Sequence, residues 1–252
     1  IAQPFSSFGG RRAELPKAFY TRISERLRHK DRSIALWDYE RLVLEEFPQV
    51  YKVKCLNHTH YEPGKGIYRE LAPGHITIVT IPNLQLKNLH DPLKPYSSLG
   101  LLSQIEEFLQ KRLSCFAKLH VMNPIFEEAR VKFKLNLKSG FDETYSIYQL
   151  KLAITRFLSP WAFSDGGTPS FGGKIYKSVL INFIEDQPCV DYINDFELFH
   201  RVNINSPEID AEEIEGSSAV SILVSAPASS HDIVPVKFVE RSAPGINCSC
   251  ES

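Results

Sequence analysis

The clearest pattern along the chain is a two-residue alternation at 131–137, where Lys132, Lys134 and Asn136 separate Val131, Phe133, Leu135 and Leu137. Successive strand residues point to opposite faces, so this spacing predicts a half-buried strand. A second alternation sets Tyr51, Val53 and Cys55 against Lys52 and Lys54. Ile76 to Ile81 is apolar and β-branched and predicts a buried strand ended by Pro82. Shorter strands are expected from Leu119 and Val121 up to Asn123-Pro124, and over 190–199.

Helical spacing punctuates these strands. Leu15, Phe19, Ile23 and Leu27 fall on one face of a helix with Pro16 in its first turn. The basic run Arg26, Arg28, His29, Lys30 and Arg32 reads as that helix's solvated face and exit. Leu36, Tyr39, Val43 and Phe47 keep helical register over 34–47, and Pro48 enforces the stop. Leu101, Ile105, Phe108 and Leu109 oppose Glu106, Glu107, Lys111 and Arg112 on a third helix. A fourth, capped by Asp142 or Thr144, carries Ile147, Leu150, Ile154, Phe157 and Leu158 and halts at Ser159-Pro160. Ile175, Val179, Phe183 and Ile184 suggest one more short helix. The stretch 57–74, with Pro63, Gly64, Gly66 and Pro73, is a loop or irregular hairpin.

This order predicts an α+β fold: two small antiparallel sheets, each covered by helices, of the ferredoxin-like, split β-α-β type. Ala219 to Val224 and Ile233 to Val239 are expected to pair as a terminal hairpin. The chain then divides into a linker at 1–14, an α+β subdomain with leading helices at 15–123, and a second subdomain at 124–201. Residues 202–252 hold an acidic stretch, expected to be exposed, then the hairpin and a frayed tail. No residue-level repeat relates the halves.

Composition narrows the function classes. Acids and bases number 30 and 29, so no broad field draws nucleic acid or an anionic membrane. No run approaches the roughly 20 apolar residues of a spanning helix, and a soluble chain is expected. Five scattered cysteines argue against a disulfide framework and for synthesis in a reducing compartment. The first residue is Ile1 and the only methionine is Met122, so the reading expects the end of a longer chain.

Known chemistries find little purchase. A phosphate loop counted from Gly167 puts Gly173 where the lysine belongs. Counted back from Lys174, it starts on Thr168 and ends on Ile175. Cys55, His58 and His60, or Cys248 and Cys250, do not supply the paired ligand sets of a structural zinc site. There is no nucleophile elbow, metalloprotease helix or dinucleotide glycine signature. Adjacent acids such as Glu106-Glu107, Glu127-Glu128 and Asp142-Glu143 read as solvated faces. The reading is therefore not an enzyme, with no catalytic, cofactor-binding or metal-ligating residues. What stands out is 160–174, where Trp161, Phe163 and Phe171 lie among Gly166, Gly167, Gly172 and Gly173. Aromatics on a glycine-shaped loop serve either as anchors for a protein partner or as plugs beneath the chain's own sheet.

One set of features resembles a known family. Asp38-Tyr39-Glu40-x-Leu42-Val43-Leu44-x-x-Phe47-Pro48 is followed by Val53-Lys54-Cys55, by Pro73-Gly74-His75 before an apolar strand, and by Asn123-Pro124. Phe157-Leu158-Ser159-Pro160-Trp161 comes next, then Phe171-Gly172-Gly173-x-Ile175 and Ser178-Val179. In order and spacing, over 35–200, this resembles the baseplate J-like family, the wedge proteins of contractile phage tails and related contractile injection or type VI-like systems. The resemblance implies a structural wedge component with no cofactor. Its implied partners are other baseplate wedge and hub subunits in a six-fold ring, although an isolated fragment can be monomeric. It implies cytoplasmic synthesis followed by residence in the baseplate of a virion or injection apparatus, without membrane insertion. The interface candidates are Trp161, Phe163, Phe171, Gly172, Gly173, Ile175 and Ser178. The alternative is a ligand- or receptor-binding module of a tail or fibre protein.

Overall fold

The computed structural model describes residues 13–62, 67–83, 91–163, 167–202 and 207–236. Most of the expected linker, Gly166, Cys248, Cys250 and the frayed tail lie outside the described residues. The chain divides into two compact units, Ile1–Pro124 and Ile125–Ser252.

The first unit runs α1 (Pro16–His29), α2 (Leu36–Glu46), β1 (Val50–Asn57), β2 (His60–Glu62), β3 (Ile67–Arg69), β4 (His75–Pro82), α3 (Leu99–Gln110) and β5 (Lys118–Met122). Its sheet has the order β1-β4-β5, with β1 and β4 antiparallel but β4 and β5 parallel. The antiparallel expectation is corrected here: the connection through α3 is long enough to return the chain to the same end of the sheet. β2 and β3 form the short hairpin anticipated within 57–74. Tyr39, Leu42 and Val43 of α2 and Ile105 and Leu109 of α3 meet Val53, Cys55 and Ile78 in the core. Each such side chain contributes about 1.5–3 kcal/mol on full burial. Burial pushes the Cys55 thiol up to about 12, consistent with its use as a small hydrophobe. A register shift between Val50 and Lys52 buries Val50 and leaves Tyr51 exposed, against the simple alternation.

Helix α1 departs from its sequence reading. Its apolar face is exposed, with Leu15 at 73% and Leu27 at 70%. The one residue of the helix that is buried is His29, and the Arg28 guanidinium lies 4.2 Å from the Trp37 ring centroid. Planar guanidinium on an indole face is a favourable cation–π arrangement, while Arg26, Arg28, Lys30 and Arg32 stay exposed as the sequence reading expected and His29 alone of the basic run is buried.

The second unit contains β6 (Ile125–Leu137), α4 (Glu143–Leu158), a 3-10 turn (Pro160–Ala162), β7 (Lys174–Tyr176), α5 (Lys177–Glu185), β8 (Val190–Arg201), β9 (Glu213–Glu215), β10 (Ser221–Ser225) and β11 (Asp232–Pro235). β6 is the central strand, with Val131, Phe133 and Leu135 buried as the alternation required. β8 pairs with it antiparallel. The expected terminal hairpin is not formed. β10 and β11 both run parallel to β6, opposite 125–129 and 132–135, as two parts of one interrupted strand. The two segments cannot face each other because both take their backbone partners from β6. Asp142 caps α4 by accepting the Tyr145 N–H at 2.7 Å. Leu150 and Ile154 of α4 and Leu180 and Ile184 of α5 cover the sheet.

The interruption between β10 and β11 buries His231. Its Nδ1 accepts the Val131 N–H at 3.3 Å, so Nε2 carries the proton facing Ser225 Oγ at 3.1 Å. Ser225 in turn donates to the Ala226 carbonyl. Burial, with Lys151 and Arg130 adding repulsion, lowers the imidazole from 6.5 to about 4. The unfolded chain therefore binds more protons than the native one between these values, and stability rises with pH across that window. Acidification from pH 6.5 to 4 is expected to remove about 3 kcal/mol through this residue. Urea midpoints measured against pH should show the slope in the wild type and lose most of it in His231→Gln.

Candidate functional site

Pro160 cannot continue α4, and the chain turns sharply at Ser159. Ser159 Oγ accepts the Ser225 N–H at 2.8 Å, which ties this turn to β10. Trp161 follows and is only 9% exposed, the plug position rather than a free anchor. Its indole N–H is buried and has no acceptor among the described residues. Phe163 is half-buried, with the Arg156 guanidinium 5.2 Å from its ring centroid. A Cβ on Gly167 would come within 2.4 Å of Pro160 Cγ, so only glycine lets the loop fold back on the turn.

The second half of the segment is fixed from β9 and β10. Phe171 is half-buried. Gly172 has φ +61° and donates to the Ser221 carbonyl at 3.1 Å. The Gly173 carbonyl accepts from Gly216 N–H at 3.4 Å. Ile175 pairs with Ile214 in the β7–β9 ladder and packs on the core, while Ser178 stands exposed on the first turn of α5. The loop's Gly172 amide is thus committed to protein, unlike the free amides of a phosphate cradle.

The acidic stretch serves the same clamp. Its carboxylates are largely exposed, as expected, yet Glu208, Asp210, Glu212 and Glu215 are paired. Lys174 meets Glu215 at 2.8 Å, and Lys177 meets Asp210 at 2.8 Å and Glu212 at 3.3 Å. These partners hold Lys174 and Lys177 above the usual lysine range.

Beneath the clamp lies a residue that sequence reasoning misread. Glu127 was expected on a solvated face and is 0% exposed. Adjacent strand residues point to opposite faces, so Glu127 and Glu128 do not share an environment. The Glu127 carboxylate accepts from the Ser217 N–H at 3.0 Å and from the Ser217 hydroxyl, and lies 2.7 Å from His200 Nε2. It thereby fixes the turn whose Gly216 holds Gly173. Serine, histidine and glutamate meet here, but the serine hydroxyl bonds the carboxylate and not the imidazole, so the order of a serine–histidine–acid triad is not made.

Helix α5 also differs from its expected register. Leu180 and Ile184 are buried, whereas Val179 is 50% exposed and Phe183 half-buried. Val179 and Phe183 are four apart and share a helix face. Phe183 stacks on the partly exposed Phe157 of α4 at 4.1 Å between centroids. With exposed Tyr176 at the start of α5, these residues make an apolar strip beside the clamped loop.

In the first unit, His60, His75 and His120 bring their ring nitrogens within 4.8 Å of one another. His58 is exposed and Cys55 faces the core, so neither joins them. No helix of the described residues is long and apolar enough to cross a membrane.

Comparison with known proteins adds the following. Residues 1–226 match the family described as "Baseplate protein PVC11-like". No curated protein matches the chain. Among solved structures, it is similar to a chain of the anti-feeding prophage (AFP) baseplate, determined by cryo-EM and six-fold symmetrised. The two share 18% identity with a TM-score of 0.58, over 85% of this chain and 42% of that one. At that identity the likeness is one of fold, and this chain spans less than half the length of its counterpart.

Proposed function

Because the chain belongs to the PVC11-like family of baseplate proteins, we propose that it is a structural, non-enzymatic wedge component of a contractile injection apparatus. The family match over 1–226 is the observation that carries this reading. The proposal includes kinship with baseplate J-like wedge proteins, assembly with other wedge and hub subunits in a six-fold ring, and synthesis in the cytoplasm before incorporation into the particle.

We assign the neighbour-contacting surface to the segment from Trp161 to Ser178 and the strip Phe157–Tyr176–Val179–Phe183. Within it, Phe163, Phe171 and Ser178 supply the reachable groups, Gly172, Gly173 and Ile175 shape the clamp, and Trp161 supports it from below. An apolar strip rimmed by the ion pairs of Lys174 and Lys177 has the composition of a subunit contact, with an apolar centre and a polar rim. A ring of identical parts uses head-to-tail surfaces, which require no symmetry inside the subunit.

A photo-crosslinking residue at Ser178 tests the assignment in assembled particles. Crosslinks to another baseplate subunit are the expected outcome. Labelling confined to solvent, alongside crosslinking from the exposed face of α1, would move the contact elsewhere.

A further inference from the structure

We propose that His60, His75 and His120 form a binding site for one divalent transition-metal ion, of which zinc is the best fit. The three histidines come from three strands, β2, β4 and β5, separated by long stretches of chain. His75 Nδ1 lies 2.8 Å from His120 Nε2. Ring centroids are 4.6 Å apart for His60 and His75, 4.3 Å for His60 and His120, and 5.1 Å for His75 and His120.

These distances suit coordination. A zinc–nitrogen bond of about 2.0–2.1 Å places tetrahedral ligands roughly 3.3 Å apart. Ring nitrogens within 4.8 Å of one another bracket that spacing, so side-chain rotation alone brings them onto one ion. The half-burial of all three leaves room for a water as fourth ligand.

The backbone beneath is held in advance. Thr77 Oγ1, fully buried on β4, donates to the Thr59 carbonyl at 2.7 Å and pins the residue before His60. The Ala72 N–H reaches the His58 carbonyl at 2.7 Å, and the Lys118 N–H reaches the Gly74 carbonyl at 2.7 Å. His120 sits opposite Thr77 in the β4–β5 ladder. Ligands on paired strands and tight turns keep their geometry better than ligands on loops.

The ligand set also selects the metal. Three imidazoles without a carboxylate favour zinc, nickel or copper over magnesium or calcium, which take oxygen ligands. Burial, then the neighbouring histidine, keeps His75 below the usual histidine range, and His120 is lowered for the same reasons. Neutral imidazoles present the lone pairs that a metal needs. Lys118 and Arg69 add positive charge nearby, so ions held by charge alone are disfavoured.

The test uses the full chain, stripped with a chelator and titrated with zinc by calorimetry. One equivalent should bind, and melting temperature should rise with zinc but not with calcium or magnesium. Cobalt added to the wild type gives a variant-independent readout, a visible band of nitrogen coordination. His75→Gln and His120→Gln should each weaken zinc binding at least ten-fold, while His58→Gln should leave it unchanged. Absence of stoichiometric zinc and of the cobalt band in the wild type would overturn the site, leaving a stacked, hydrogen-bonded histidine cluster. Binding that survives His75→Gln with His120→Gln would overturn it equally.

Discussion

Glu127→Ala is expected to destabilise the second unit by about 3–5 kcal/mol, because the carboxylate it removes is fully buried and anchors a hydrogen-bonded network. The loss has three parts. The Ser217 N–H and hydroxyl are left without their acceptor, the His200 contact disappears, and a cavity opens beside β6. Glu127→Gln keeps the volume and one acceptor oxygen and should cost less, about 1–3 kcal/mol. Equilibrium urea unfolding measures both. The account makes a more pointed claim as well. Because Glu127 holds the turn that carries Gly216, its loss should free Gly173 and expose 167–176 to limited proteolysis before global unfolding. Glu127→Ala and Ser217→Ala should therefore couple, with an interaction energy of about 0.5–3 kcal/mol in a double-mutant cycle. Additive effects would mean that the clamp has another origin.

Trp161→Ala is the second large effect. The side chain is buried beside the end of α4, and its truncation should cost about 3–5 kcal/mol. Trp161→Phe separates support from contact. Phenylalanine retains most of the apolar bulk but lacks the indole N–H, which has no acceptor among the described residues. A folded Trp161→Phe chain with impaired assembly would mean that the full bulk of the indole is needed to hold the contact surface in shape, since its buried N–H is out of a neighbour's reach. Normal assembly by Trp161→Phe, with Trp161→Ala unstable, would make the residue an internal plug alone. A Trp161→Ala chain that keeps its melting temperature and assembles normally would contradict both roles.

The elements were legible wherever one local period dominated. β6 follows from its alternation, and α4 from its cap, spacing and terminal Ser159-Pro160. Strand direction was not legible, because pairing depends on connections that periodicity does not describe. The parallel β4–β5 pair and the interrupted β10–β11 strand are therefore findings of the structure. α5 misled for another reason: it is apolar on two faces, so either could be read as the core side. Of the candidate site, the glycine and aromatic positions were visible in the sequence, and their clamp was not. Glu127 lies 90 residues from Ser217, and the histidine cluster joins residues up to 60 apart; such convergence leaves no spacing to read.

The most direct test of the baseplate assignment is gentle affinity purification of the protein from its native cells, with the co-purifying chains identified by mass spectrometry. Recovery of tube, sheath and other wedge subunits in a particle-sized fraction is the predicted result. Recovery of the protein alone, at a size that excludes any particle, would contradict the account and favour a ligand- or receptor-binding module.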